Sequence, residues 1–129
     1  MGRVVIKING LEMVNFDPLT LKSSMNLNYD INGEKQKQII NVDLTRKSEI
    51  LVEGIMRFIK SQGANCNDER DDILENLYSR DITNIDKAEE KLLIYLSKLC
   101  EKIRFMKNNK NPTEHMKLYH EINGSKITL

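Results

Sequence analysis

Apolar residues alternate with polar ones through the first third of the chain and recur at three- and four-residue spacings through much of the remainder. Strands are therefore expected first and helices afterwards, because side chains alternate across a strand and repeat every 3.6 residues on a helix. Three Asn-Gly dipeptides punctuate the pattern: Asn9-Gly10, Asn32-Gly33 and Asn123-Gly124. Both central residues of a type I′ turn need positive φ, which Gly and Asn adopt at least cost, so each dipeptide predicts a β-hairpin. A turn at Asn9-Gly10 sets Ile8 opposite Leu11, Ile6 opposite Met13 and Lys7 opposite Glu12, with Asp17-Pro18 closing the hairpin. A turn at Asn32-Gly33 pairs Ile31 with Glu34, Tyr29 with Gln36, Leu27 with Gln38, Met25 with Ile40 and Leu21 with Leu44. The base of this hairpin reads as buried. Its tip reads as half wet, since Gln36 and Gln38 face Tyr29 and Leu27. The third turn places Glu121 against Lys126 and predicts a C-terminal strand pair, although Pro112-Thr113-Glu114 can equally open a short helix first.

Helical spacing begins at Thr45, where Leu51, Ile55, Phe58 and Ile59 form a stripe that Gly63 ends. Gly54 inside this helix costs about 1 kcal/mol relative to Ala, which we read as a sign of close packing there. After a polar loop, Asp68 is placed to cap a second helix that packs Ile73, Leu74, Leu77 and Tyr78. Asp86 and Glu89 then resemble a capping box, opening a helix that runs to about Lys107. Its stripe is Ile85, Leu92, Leu96, Leu99, Ile103 and Met106, widened by Leu93 and Cys100. At 1.5 Å per residue this helix is about 33 Å long, so part of its stripe is expected to seek a second copy of the chain. The expected fold is α+β: an antiparallel sheet from N-terminal hairpins plus a C-terminal strand pair, with about three helices on one face. Residues 1–129 read as one domain, with a hairpin region over 1–44, a helical region over 45–107 and a loop with hairpin over 108–129.

At 129 residues, a chain buries roughly two-thirds of its unfolded surface and needs no disulfide or metal staple. Cys66 and Cys100 lack a C-x-x-C partner, and the start MGRVVIKING shows no cleavable leader, so a reduced, cytoplasmic protein is expected. No run of apolar residues is long enough to span a membrane. Ile, Lys and Asn, all with A/T-rich codons, make up a third of the chain. That bias suits a gene from a low-GC bacterium or its phage.

Chemistry-bearing motifs are few. Gly124-Ser125-Lys126 lacks the upstream Gly of a phosphate loop, and no G-x-G-x-x-G occurs. His115 and His120, five residues apart, match no zinc spacing with Cys66 and Cys100. The run from Asn65 to Asp72 lacks the Gly and Glu of a calcium loop. Asp68, Glu69, Asp71 and Asp72 suit the positive end of a helix dipole. No catalytic, cofactor-binding or metal-binding residue is assigned.

Charge is unevenly spread even though the total is only +1. Residues 64–90 carry −6 and residues 91–129 carry +5. Lys91, Lys98 and Lys102 share one face of the long helix, opposite the Leu stripe. This face is either plainly solvated or an electrostatic patch, and the scarcity of Arg and aromatics weighs against nucleic acid. Leu27, Tyr29 and Ile31 at the half-wet hairpin tip, with Lys91, Lys98 and Lys102, are the candidate partner-binding residues. The expected function is a non-enzymatic protein-binding module, such as a phage or mobile-element accessory protein that inhibits or adapts a host complex. One alternative is a nucleic-acid-binding accessory protein using the Lys face. Another is a small enzyme or small-ligand binder whose site is scattered along the chain. A protein partner and a homodimer are expected; a cofactor and a membrane are not.

Overall fold

The Asn32-Gly33 turn forms as its residues require, with φ of +51° at Asn32 and +86° at Gly33. It joins β2 (Lys22–Ile31) to β3 (Glu34–Asp43) in the expected register, from Ile31 opposite Glu34 to Met25 opposite Ile40. Beyond the ladder, the Leu44 N–H donates to Leu21 O at 3.1 Å. Leu21, Met25, Leu27, Tyr29, Val42 and Leu44 lie buried on one face. Residues 4–62, 81–108 and 111–129 are described in the structure, a computed structural model. The Gly63 helix stop, Cys66, the acidic cluster from Asp68 to Asp72 and the helix expected to pack Ile73, Leu74, Leu77 and Tyr78 lie outside the described residues.

Asn9-Gly10 does not turn. β1 runs unbroken over Val5–Phe16, and neither residue of the dipeptide has positive φ. β1 instead pairs antiparallel with β2 through a loop in which the Asp17 carboxylate accepts the Leu19 N–H at 2.9 Å. Leu21 ends that loop at φ +63°, a conformation that costs about 1–2 kcal/mol for a residue with a Cβ and that is held by burial of its side chain. The β1–β2 register slips by one residue between Ile8 and Gly10 and again between Met13 and Asn15. Each slip resets the alternation, so Ile6, Ile8, Leu11, Met13 and Phe16 all reach the buried face. A two-residue turn and a one-residue bulge put the same residues on the same face. The hairpin expectation therefore had the right face and the wrong path.

The second edge of β1 is closed by three pieces. β4 (Asp81–Ile82) pairs parallel with Val5 and Ile6. At Ile8 the Asn84 side chain replaces a strand: its Oδ1 accepts the Ile8 N–H at 3.1 Å and its Nδ2 donates to Ile8 O at 2.7 Å. β5 (Lys126–Thr128) pairs antiparallel with Gly10, Leu11 and Glu12, and the Met13 N–H donates to Ser125 O at 3.0 Å. Gly10 is required here, since a Cβ would sit 2.4 Å from Ile127 O. The sheet is thus mixed, ordered β3-β2-β1, with β4 and β5 sharing the far side.

Helix α1 spans Ser48–Ser61, α2 spans Ile85–Asn108 and α3 spans Pro112–Asn123. The C-terminal strand pair is therefore a helix followed by one strand. The Asn111 side chain accepts the Thr113 N–H at 3.0 Å, and Pro112 sets the first turn. Asn123-Gly124 ends α3, with the Gly124 N–H donating to His120 O at 3.1 Å. α2 is capped two residues before the Asp86–Glu89 box, with the Ala88 N–H donating to Asn84 O at 2.8 Å. Asn84 therefore both starts α2 and completes the edge of β1.

The helices cover the buried face of the sheet. Leu92, Leu96, Leu99, Ile103 and Met106 are all buried, and Leu93 and Cys100 are half-buried. α2 packs along α1 and α3 and over β1. The main stripe of this helix is thus covered within one chain. Polar clips join the layers: Tyr95 Oη lies 2.7 Å from Ser125 Oγ, and Ser97 Oγ donates to Ser48 Oγ at 3.0 Å. Among the described residues, no helix is long and apolar enough to cross a membrane.

Candidate functional site

The six residues chosen from the sequence separate in the fold. Leu27 and Tyr29 are core residues, 0% and 3% exposed, and are not presented at a hairpin tip. The Tyr29 hydroxyl donates to Gln62 Oε1 at 2.8 Å, tying β2 to the end of α1, and burial pushes its phenol above the usual range. Ile31 alone of the three is half-buried. β2 lies one strand in from the sheet edge, beneath the helices. Gln36 and Gln38, across from these residues on β3, lie beyond that cover and are exposed. Lys98 is exposed, whereas Lys91 and Lys102 are half-buried. Lys102 Nζ lies 3.7 Å from Glu121 Oε2 on α3, an exposed pair that contributes less than about 1 kcal/mol.

The more open surface lies at β3. Among the described residues no strand pairs with its outer edge. In a hairpin with a two-residue turn the flanking pair, here Ile31 and Glu34, faces inward, and inward and outward positions then alternate. The N–H and C=O groups of Lys35, Lys37, Ile39 and Asn41 therefore point out of the sheet. The Leu44 N–H bond to Leu21 follows the same parity. At the end of the strand, Asp43 O accepts the Arg46 N–H at 3.2 Å. The Asp43 carboxyl is held below the usual range, first by the Thr45 hydroxyl and N–H and then by the charges of Arg46 and Lys22.

Between this edge and α1 runs an open groove of about 790 Å³. Its apolar lining includes Ile40, Val42, Ile50, Ile55 and Phe58, with Lys22, Arg46 and Arg57 at the rim. Ile39, 60% exposed, and Ile50, 47% exposed, stand on either side. Gly54 also lines the groove, and a Cβ there meets nothing within 4 Å. The close packing expected at Gly54 is therefore absent. The residue leaves the groove wall bare, at a cost of about 1 kcal/mol of helix stability. Sequence reasoning missed this site, although Ile39-Ile40 and Gly54 were its signals. Two adjacent apolar residues on a strand send one side chain to each face, and a mid-helix Gly without a packing partner calls for another reason.

A second cavity, of about 350 Å³, lies where the start of α1 meets the second half of α2. Arg46, Lys47, Arg104 and Lys107 line it against a single carboxylate, Glu49. The Cys100 thiol, also in the lining, is pushed up by burial and held in its weakly nucleophilic neutral form. Among the described residues, no three His, Cys, Asp or Glu side chains group closely enough to hold a metal ion. No family model matches the chain, and no curated protein or solved structure matches it either.

Proposed function

We propose that this chain is a non-enzymatic protein-binding module that accepts an extended segment of a partner as an added strand on β3. The observation that carries this reading is the ten-residue edge of β3, unpaired among the described residues and running beside an apolar groove. Strand addition draws affinity from main-chain hydrogen bonds and specificity from pockets beside the edge. The outward groups of Lys37, Ile39 and Asn41 supply the first, and the groove between Ile40, Ile50 and Phe58 supplies the second. A role as a phage or mobile-element accessory protein that inhibits or adapts a host complex fits this mode of contact.

The test is site-specific photo-crosslinking in a native lysate. A photoreactive residue at Gly54 is expected to capture one dominant protein, and the same residue at Asn26, on the open face of the sheet, is not. Asn41→Pro removes an outward N–H and the exposed Ser24 Oγ bond to Asn41 Oδ1, leaves the backbone bonds of the β2–β3 ladder in place, and should abolish the adduct. Equal capture from both positions, or capture that survives Asn41→Pro, defeats the proposal.

The four-cation cavity favours a second reading, contact with a nucleic-acid backbone. Among the described residues none of Arg46, Lys47, Arg104 and Lys107 stands in an ion pair. On this reading, binding to a DNA or RNA duplex weakens steeply with salt and is lost in an Arg104→Glu, Lys107→Glu double variant.

A further inference from the structure

Resting on strand addition at β3, we infer that the docked segment comes from another protein and is acidic along one half and apolar along the other. A strand laid against β3 alternates in step with it, so each of its residues falls level with one β3 position and on the same face. Residues level with Lys35, Lys37, Ile39 and Asn41 lie on the open face of the sheet. Residues level with Ile40 and Val42 lie on the side of the groove.

Near the Gly33 turn, the open face presents Lys35 and Lys37, both exposed and, among the described residues, in no ion pair. On their inner side Lys35 sits across from Asp30 without forming an ion pair, Asp30 Oδ1 accepting the Asn9 Nδ2–H at 3.0 Å, and Lys37 sits across from neutral Asn28. Carboxylates in an added strand level with these lysines complete cross-strand pairs. Lysines placed there repel.

Toward Asp43 the chemistry changes. Ile39 is apolar on the open face, and the groove beside Ile40 and Val42 is walled by Ile50 and Phe58 with the bare Gly54 between. That half accepts Val- or Ile-sized side chains. A second copy of β3 fits less well. Laid antiparallel with Ile39 on Ile39, it sets Asp43 level with Lys35 but Asn41 level with Lys37, and it sends Gln38 and Gln36 to the groove side, level with Ile40 and Val42.

The test uses two labelled peptide probes followed by fluorescence anisotropy. One alternates Glu with Val through its first half and Val with Ile through its second; the other carries Lys in place of Glu. Each is made in both chain directions, because a strand can add parallel or antiparallel. In one direction the Glu probe is expected to bind about tenfold more tightly than the Lys probe, the yield of two cross-strand charge pairs. A Lys35→Glu, Lys37→Glu double variant should invert that preference, and Asn41→Pro should abolish binding of both probes with the fold intact by circular dichroism. Equal binding of both probes, lost in Asn41→Pro, leaves strand addition standing and overturns the acidic partner. Binding that Asn41→Pro does not change overturns strand addition as well. A dimer in sedimentation equilibrium that Asn41→Pro dissociates assigns the edge to a second copy and likewise overturns the inference.

Discussion

Beyond β1 the sheet is finished by unlike pieces: a two-residue parallel strand, the side chain of Asn84 and a three-residue antiparallel strand. Beyond β3 no strand is paired among the described residues, and the outward groups of Lys35, Lys37, Ile39 and Asn41 are left open. Open edges invite pairing with other chains, and proteins usually shorten, bend or cover them. β1 shows all of these devices: two register slips, short flanking strands and a covering side chain. β3 has only Lys35 and Lys37 near its turn, and its register with β2 is unbroken. One edge is a built closure and the other is left open, which is why a docking role is proposed for β3.

The largest effects should separate the two edges by their glycines and by their inward positions. Gly10→Ala drives a methyl group onto Ile127 O and should cost about 3 kcal/mol, seen as a lower midpoint in chemical denaturation. On the open edge, Ile40→Pro removes an inward ladder bond at a similar cost of about 3 kcal/mol, whereas Asn41→Pro should change stability by less than about 1 kcal/mol. Equal costs at positions 40 and 41 would mean that the outward parity of β3 is misassigned.

Asn84→Ala comes next. It leaves the Ile8 N–H and C=O without their partners and should cost about 2 kcal/mol. An effect below about 0.5 kcal/mol would show that water serves Ile8 as well as the amide does. Gly54→Ala acts in the opposite direction, raising stability by about 1 kcal/mol because the helix gains a better former and the methyl group meets open space. Loss of stability there would mean that the groove closes on itself in solution.

The smallest effect concerns alkaline pH. The Tyr95 phenol is raised above its usual 10.0 mainly by burial, with the hydrogen bond to Ser125 opposing and the charge of Glu12 adding. A raised folded-state value means that the unfolded chain loses this proton first. The contribution of Tyr95 is therefore complete below pH 10 and declines as pH rises further. Tyr95→Phe should flatten part of that decline in pH-dependent melting, and Tyr29→Phe should flatten a separate part at the α1 side. An unchanged alkaline slope in both variants would remove this account.

Local rules were enough wherever neighbouring residues supplied the whole constraint. Asn32-Gly33 determined its own turn and, through it, the β2–β3 register, because both φ values and the pairing parity are set within the hairpin. The buried stripe of α2 was equally legible, since a 3.6-residue period is a property of one segment. The face of β1 was legible too, although its path was not. Asn9-Gly10 satisfies a turn and a bulge alike, and the choice between them rests with β2 and β5, which occupy the two edges of β1.

What only the tertiary structure decided is which surfaces remain uncovered. Leu27 and Tyr29 looked half wet beside Gln36 and Gln38, but burial follows position in the sheet. β2 lies under the helices while β3 extends past them. The Leu-rich stripe of α2 looked too wide for one chain until the sheet, α1 and α3 closed over it. Gly54 read as a site of close packing, and Ile39 carried no reading of its own. Their meaning came from the groove, formed by segments that are adjacent only after folding. Periodicity reports what a segment can bury, and the arrangement of all the segments decides what is left to bind.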